Sequence, residues 1–183
     1  MQVSRLGSEA IRYAELGYSV VPLWPGDKRP LPFADTKKPS CNIDLIRSWW
    51  ERCPNANIGI PTGIRYNNLI VIDLDINVSA GINGKVQMVK TLEQKGLCFP
   101  KTGVVRTGSG GFHYYFKNVK GIVIRGKKNL LPGVDIRAEG AHVVAPPSVH
   151  ANGKEYQWIL GDISEVADAN NDVYCFLDFD HYA

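Results

Sequence analysis

Asp73 and Asp75 end the stretch Leu69-Ile70-Val71-Ile72-Asp73-Leu74-Asp75 with two carboxylates one residue apart. Four apolar residues lead into them, and Ile70, Val71 and Ile72 are β-branched, so the stretch reads as a buried strand. Strand side chains alternate faces, which predicts that Asp73 and Asp75 project side by side from one face at the strand end. Two like charges held close are unfavourable unless a cation neutralises them or one takes a proton. A divalent cation resolves the conflict, and carboxylate oxygens suit Mg2+ or Mn2+. The alternative is a strand that ends in a polar turn, where Asp is common.

Two further stretches carry related chemistry. In Ser109-Gly110-Gly111-Phe112-His113 the glycines allow backbone N–H groups to approach an anion, and a nest of such groups favours phosphate. His113 stands just inside the following strand, in reach of a phosphate or sugar; the alternative is a histidine satisfied within the strand. In Val134-Asp135-Ile136-Arg137 a carboxylate sits between apolar neighbours. A lone buried carboxylate is costly, so Asp135 needs a metal or an ion pair with Arg137. Together the three stretches supply carboxylates for two metal ions, a phosphate cradle and an arginine, the inventory of two-metal phosphoryl or nucleotidyl transfer. Arg and His belong in that inventory because charge develops on the phosphate oxygens as the bond breaks.

The elements that must position these groups follow from pattern. Residues 6–16 have helical spacing and end at Gly17. Residues 18–24 read as a strand, and residues 25–30 as a turn-rich loop in which Lys28 and Arg29, with Lys37 and Lys38 beyond it, offer contacts to a polyanion. Asn42 caps a helix over 43–52, whose adjacent Trp49 and Trp50 point to core packing, with base stacking as the alternative. Residues 57–63 form a short strand and tight turn. A helix over 86–95 stops at Gly96. Strands are expected at 104–106, 112–116, 121–125, 134–137, 141–145 and 156–160, with 126–129 as a basic loop carrying Lys127 and Lys128. The tail from Ile163 is partly helical. The order predicts an α/β or α+β fold with a largely antiparallel or mixed sheet. It argues against a parallel Rossmann sheet, because the glycine-rich turn runs from strand to strand.

The chain of 183 residues suits one domain or two closely fused units, and its 44% hydrophobic and 21% charged content is ordinary for a soluble globular protein. A net charge of +3 permits nucleic-acid binding without arguing for it. The four cysteines form no C-x-x-C arrangement, which leaves no signature of a structural zinc site. The start of the chain has no signal-peptide pattern and no apolar run of membrane-spanning length, so a reducing, cytosolic compartment with free thiols is expected.

The combination resembles the primase-polymerase (Prim-Pol) branch of the archaeo-eukaryotic primase superfamily, found in plasmid and phage replication proteins. The resemblance runs from about Ala10 to Trp158. It includes Gly17-Tyr18-Ser19-Val20-Val21-Pro22-Leu23, Asn57-Ile58-Gly59-Ile60-Pro61-Thr62-Gly63, and Val71-Ile72-Asp73-Leu74-Asp75. It continues through Arg106-Thr107-Gly108-Ser109-Gly110-Gly111-Phe112-His113, Gly133-Val134-Asp135-Ile136-Arg137 and Val143-Val144-Ala145-Pro146-Pro147-Ser148. The resemblance implies that Asp73 and Asp75 are a metal-binding acidic pair, that Asp135 completes the metal site, and that His113 contacts the phosphates of an incoming nucleotide. Two positions depart from the family pattern. Gly111 stands where a small hydroxyl residue precedes the histidine by two, the serine being Ser109, and Gly140-Ala141 replaces a Gly-Gly. The cysteine pattern of a zinc-binding primase element is missing, as are helicase motifs.

The resulting expectation is a single catalytic domain over 1–183, with units of about 1–66 and 67–183. The first is an α/β unit, the second resembles an RNA-recognition motif, and the active site lies in the cleft between them. The implied activity is template-dependent nucleotidyl transfer from NTP or dNTP onto a primer, or a primer start, on single-stranded DNA with Mg2+ or Mn2+. Ser109, Gly110, Gly111, His113 and Arg137 are expected at the triphosphate, Arg106 at phosphate, and Lys28, Arg29, Lys127 and Lys128 at the template. A helicase on the same chain, as the rest of a larger replication protein, or on another chain is an expected partner, and the setting is the cytoplasm of a host cell. The rival readings are a metal-dependent nuclease and a non-catalytic nucleic-acid-binding replication module.

Overall fold

The computed structural model describes residues 3–33 and 38–178. In chain order the elements are α1 (Arg5–Glu15), β1 (Val21–Leu23), α2 (Ile43–Arg52), β2 (Asn57–Pro61), β3 (Leu69–Leu74), β4 (Ile76–Asn77), β5 (Ile82–Asn83) and α3 (Gly84–Lys95). They continue as β6 (Val104–Arg106), β7 (Phe112–Lys117), β8 (Lys127–Leu131), β9 (Val134–Arg137), β10 (His142–Ala145) and β11 (Gln157–Leu160). A 3-10 turn (Ile163–Glu165), β12 (Ala167–Asp168) and α4 (Asn171–Phe176) complete the described chain.

Local sequence explains the helix ends. The Asn42 side chain accepts the Leu45 N–H at 2.9 Å and starts α2, which satisfies one of the donors a helix N-terminus leaves open. The α3 helix stops at Gly96, whose φ of 63° is the left-handed cap that glycine adopts without penalty. Trp49 and Trp50 are both buried, and the Trp50 indole N–H donates to the Ala56 carbonyl at 2.9 Å. They are core residues, and neither ring is offered to a base.

β3 is the centre of a seven-stranded sheet of order β11-β6-β7-β3-β9-β8. Every pair along that path is antiparallel, while β12 runs parallel to β7 beyond the end of β6, so the sheet is mixed as expected. Both faces are covered, which is why β3 reads as a near-continuous apolar run. Leu69 and Val71 face a core shared with α1, α2 and a second, three-stranded sheet. Ile70, Ile72 and Leu74 face a core closed by Met88 of α3 and Val173, Tyr174 and Phe176 around α4. The three-stranded sheet has the order β1-β2-β10. Its third strand comes from late in the chain and so crosses the expected division near residue 66.

Three expectations need correction. Residues 121–125 form no strand: the segment packs Ile124 onto the second core and makes one isolated bridge, Arg125 with Glu139, beyond the end of β9. The edge position beside β9 is taken by residues 127–131, which read as a basic loop from sequence. Exposed lysines suit that place, since charge on an edge strand deters pairing with another chain. The strand expected over 18–24 is confined to Val21–Leu23.

Candidate active site

Strand register assembles the site. Asp73 on β3 lies directly opposite His113 on β7 and directly opposite Asp135 on β9. Directly opposed residues share a face, so the three form one row across the middle of the sheet, on the face of Leu69 and Val71. Arg137 follows Asp135 by two residues on that same face. Asp75 lies just past the end of β3, where its N–H donates to the Gly133 carbonyl and its carbonyl accepts from the Gly84 N–H, both at 2.8 Å.

The row opens into a cleft of about 380 Å³. Asp73, His113 and Arg137 supply one wall, and Val143 and Val144 of β10 with His142 supply the other. Lys28, Arg29 and Pro30 form its lip and Tyr156 lines it as well. The His142 imidazole donates from Nε2 to the Lys28 carbonyl at 2.8 Å, which ties the basic loop to β10.

Charge within the row is densely paired. Arg137 donates from Nε to Asp73 Oδ2 at 3.1 Å and from Nη2 to Asp135 Oδ2 at 2.9 Å. His113 Nε2 stands 3.4 Å from Asp73 Oδ1. Burial alone pushes the Asp73 carboxyl up, but His113 and Arg137 outweigh it and hold the group down at about 2. Asp135 also accepts the Asn129 N–H at 2.8 Å, a bond made by a bulge in β8 where Asn129 takes a φ of 49°. The Asp75 carboxyl is raised, first by burial and then by the charges of Asp73 and Asp135, with Lys28 and Arg137 opposing. Tyr156 is pushed up to about 12 by burial and then by Asp73 and Asp75. His113 Nδ1 and the Tyr115 hydroxyl are buried without a hydrogen-bond partner among the described residues.

Other expected residues stand elsewhere. The Ser109–Gly111 turn is the β6–β7 hairpin loop, closed by Gly110 N–H to the Thr107 carbonyl and Thr107 N–H to the Gly111 carbonyl, both at 2.9 Å. The Ser109 and Thr107 hydroxyls lie 3.0 Å apart, and none of Ser109, Gly110 and Gly111 lines the cleft. At Gly111 a Cβ would collide with the Leu74 carbonyl, so that glycine is required by close packing beside the acidic pair. Arg106 is opposite Phe112, one row away, and therefore points from the other sheet face, where it donates to Gln157 at 2.8 Å. Lys127 and Lys128 are exposed on edge strand β8, and Lys127 lies 3.8 Å from Asp178. Lys38 is exposed, while Lys37 lies outside the described residues. His142 and Tyr156 were missed: neither belongs to a motif, and only the fold brings them to the cleft.

A hard divalent cation fits this donor set in its chemistry. The acidic groups offer oxygen only, and a guanidinium already occupies the position between two of them, where a neutralising cation is needed. Among the described residues no three acidic, histidine or cysteine side chains converge as a ready-made metal cage.

A central antiparallel row of acid, acid and histidine faces a cleft rimmed by basic side chains. The sequence matches the family described as "Bifunctional DNA primase/polymerase, N-terminal" over residues 10–172, most of the chain, and the protein belongs to that family. Its mixed α/β architecture is consistent with an archaeo-eukaryotic primase-like core, and the family is one of DNA primases and polymerases, which act on DNA and nucleotides. No curated protein matches the chain. No helix among the described residues is long and apolar enough to cross a membrane.

His113 gives a first expected result. His113→Ala weakens binding of nucleotide by roughly tenfold, the worth of one hydrogen bond to a charged group, with a smaller effect on single-stranded DNA. Equilibrium titrations with each ligand check it. Equal losses for both, with a lowered melting temperature, would show that His113 serves the fold through Asp73 alone.

Proposed function

We propose that this chain is the catalytic core of a template-dependent nucleotidyltransferase that extends or starts a primer on single-stranded DNA. The observation that carries the reading is the row His113–Asp73–Asp135, with Asp75 two residues beyond Asp73, just past the end of β3. Asp73, Asp75 and Asp135 would hold Mg2+ or Mn2+. When bound, such ions lower the pKa of the attacking hydroxyl and neutralise charge on the phosphates. The chain's own groups do the rest. Arg137 and His113 bind the triphosphate from the sheet side, and Lys28 and Arg29 offer countercharge from the lip. The walls of the cleft orient the nucleotide, which converts a bimolecular encounter into a positioned one. A helicase would supply the hold on template that this weakly basic surface lacks.

The deciding experiment is incubation with a single-stranded template, with and without primer, supplying NTPs or dNTPs separately in Mg2+ or Mn2+. The expected product is a lengthened strand that requires metal and nucleotide. Shortened strands formed without nucleotide would replace this reading with a nuclease, and binding without any change in length would replace it with a non-catalytic module.

Template binding should rest on the lip. Trp49 and Trp50 are buried, and Tyr114 points to the second core, which leaves Lys28 and Arg29, with half-exposed Trp24 at the base of their loop. Each phosphate contact to single-stranded DNA contributes about −0.7 to the slope of log affinity against log salt. Lys28→Ala should flatten that slope by about one such contact while leaving the melting temperature unchanged. An unchanged slope would remove the lip from the template path.

A further inference from the structure

The acidic row contains a cation of its own. Arg137 places Nη2 3.0 Å from Asp73 Oδ2 and 2.9 Å from Asp135 Oδ2. The two carboxylate side chains are only 10% and 12% exposed, whereas the Arg137 side chain is 29% exposed and lines the cleft. Asp73 and Asp135 lie within paired strands and Asp135 also accepts the Asn129 N–H, while the Arg137 side chain reaches from the last residue of β9 into the cleft. The partner able to move is therefore the arginine.

We propose that Arg137 is an internal counter-ion that competes with the divalent cation for Asp73 and Asp135, and that a polyphosphate admits the metal by drawing the guanidinium away. This rests on the reading of Asp73, Asp75 and Asp135 as metal ligands. Two cations cannot occupy the space between two carboxylates without strong repulsion. Metal alone must displace Arg137, which then loses two charge-assisted hydrogen bonds. A polyphosphate in the cleft offers the guanidinium equivalent acceptors, and Lys28 and Arg29 favour the same anion from the lip. The Asp75 carboxylate, which accepts no hydrogen bond among the described residues and feels the charges of both other acids, is left as the open ligand when Arg137 is in place. Arg137 is thus a positioning residue in the metal-free state and a phosphate ligand afterwards.

The test compares the native chain with Arg137→Gln and Arg137→Lys, using Mn2+ alone, followed by calorimetry and by the signal of free Mn2+. Arg137→Gln should bind Mn2+ about tenfold tighter than the native chain, the ratio that corresponds to roughly 1.4 kcal/mol. Its melting temperature should be lower in EDTA and should rise further on adding Mn2+. A merely structural arginine would give weaker metal binding. Arg137→Lys keeps the charge without the fork and should fall between the two; it carries the test if the Gln variant does not fold. Inorganic tripolyphosphate in EDTA should bind the native chain better than Arg137→Gln. Equal or weaker Mn2+ binding by both variants, or equal tripolyphosphate binding, overturns the proposal while leaving the metal site intact. Absence of Mn2+ binding in the native chain and both variants overturns the metal reading itself.

Discussion

Asp75→Asn is expected to reduce primer extension about a thousandfold while making the metal-free protein more stable. The activity loss follows from removing one ligand of a catalytic cation, worth several kcal/mol of transition-state stabilisation at about 1.4 kcal/mol per decade. The stability gain has a different cause. The Asp75 carboxylate accepts no hydrogen bond among the described residues, and burial followed by the charges of Asp73 and Asp135 raises its pKa. A carboxyl raised in the folded state destabilises that state wherever it is ionised. The penalty is complete at pH values well above the raised folded value, fades as pH falls through that value, and is gone below the ordinary value of 3.8. The melting temperature of Asp75→Asn in EDTA should therefore exceed that of the native protein at pH 7, and the gap should close in acid. Near-normal extension in Mg2+ would remove Asp75 from the site, whatever the melting curves show.

Asp73→Asn is expected to abolish extension to a similar degree and to move stability the other way. This carboxyl is held down at about 2 because His113 and Arg137 outweigh the effect of burial. A group depressed in the folded state stabilises it above the unfolded pKa, and the contribution is lost as pH falls through the folded value. Taken from 3.8 to about 2, the stabilisation is on the order of 2 kcal/mol at neutral pH. Asp73→Asn should melt below the native protein at pH 7, and the difference should shrink between about pH 4 and pH 2. A difference that stays constant through that range would mean that shape at Asp73, rather than its charge, supports the fold. The contrast with Asp75 is the sharper result: two acids one residue apart, with opposite effects on stability.

Much of this site is legible without coordinates. A β-branched run ending in Asp-x-Asp identifies a buried strand with an acidic end, because alternation and burial are local properties of sequence. The helix boundaries at Asn42 and Gly96 are equally local, since capping uses the backbone groups of the same turn. The parity of Asp135 and Arg137 follows from their spacing, and their ion pair was one of two outcomes that the burial of Asp135 permitted.

What sequence leaves open is pairing across distance. Nothing local states that Asp73 faces both His113 and Asp135, because register is set by which strands meet and where their turns fall. The same long-range pairing puts Arg106 on the opposite face from His113, although both flank one glycine-rich turn. Lys127 and Lys128 look like a loop because a strand of exposed polar residues has no apolar alternation; only the vacant side of β9 makes them an edge strand. Residues 121–125 fail in reverse, being apolar enough for a strand but spent on covering the second core. His142 and Tyr156 have no motif, and they reach the cleft only because β10 crosses to the smaller sheet and Tyr156 directly precedes β11. The sequence by itself determined which groups can do chemistry and on which strands they ride. The tertiary structure decided which of them share a face, because strand register and sheet order are properties of contacts between residues far apart in the chain.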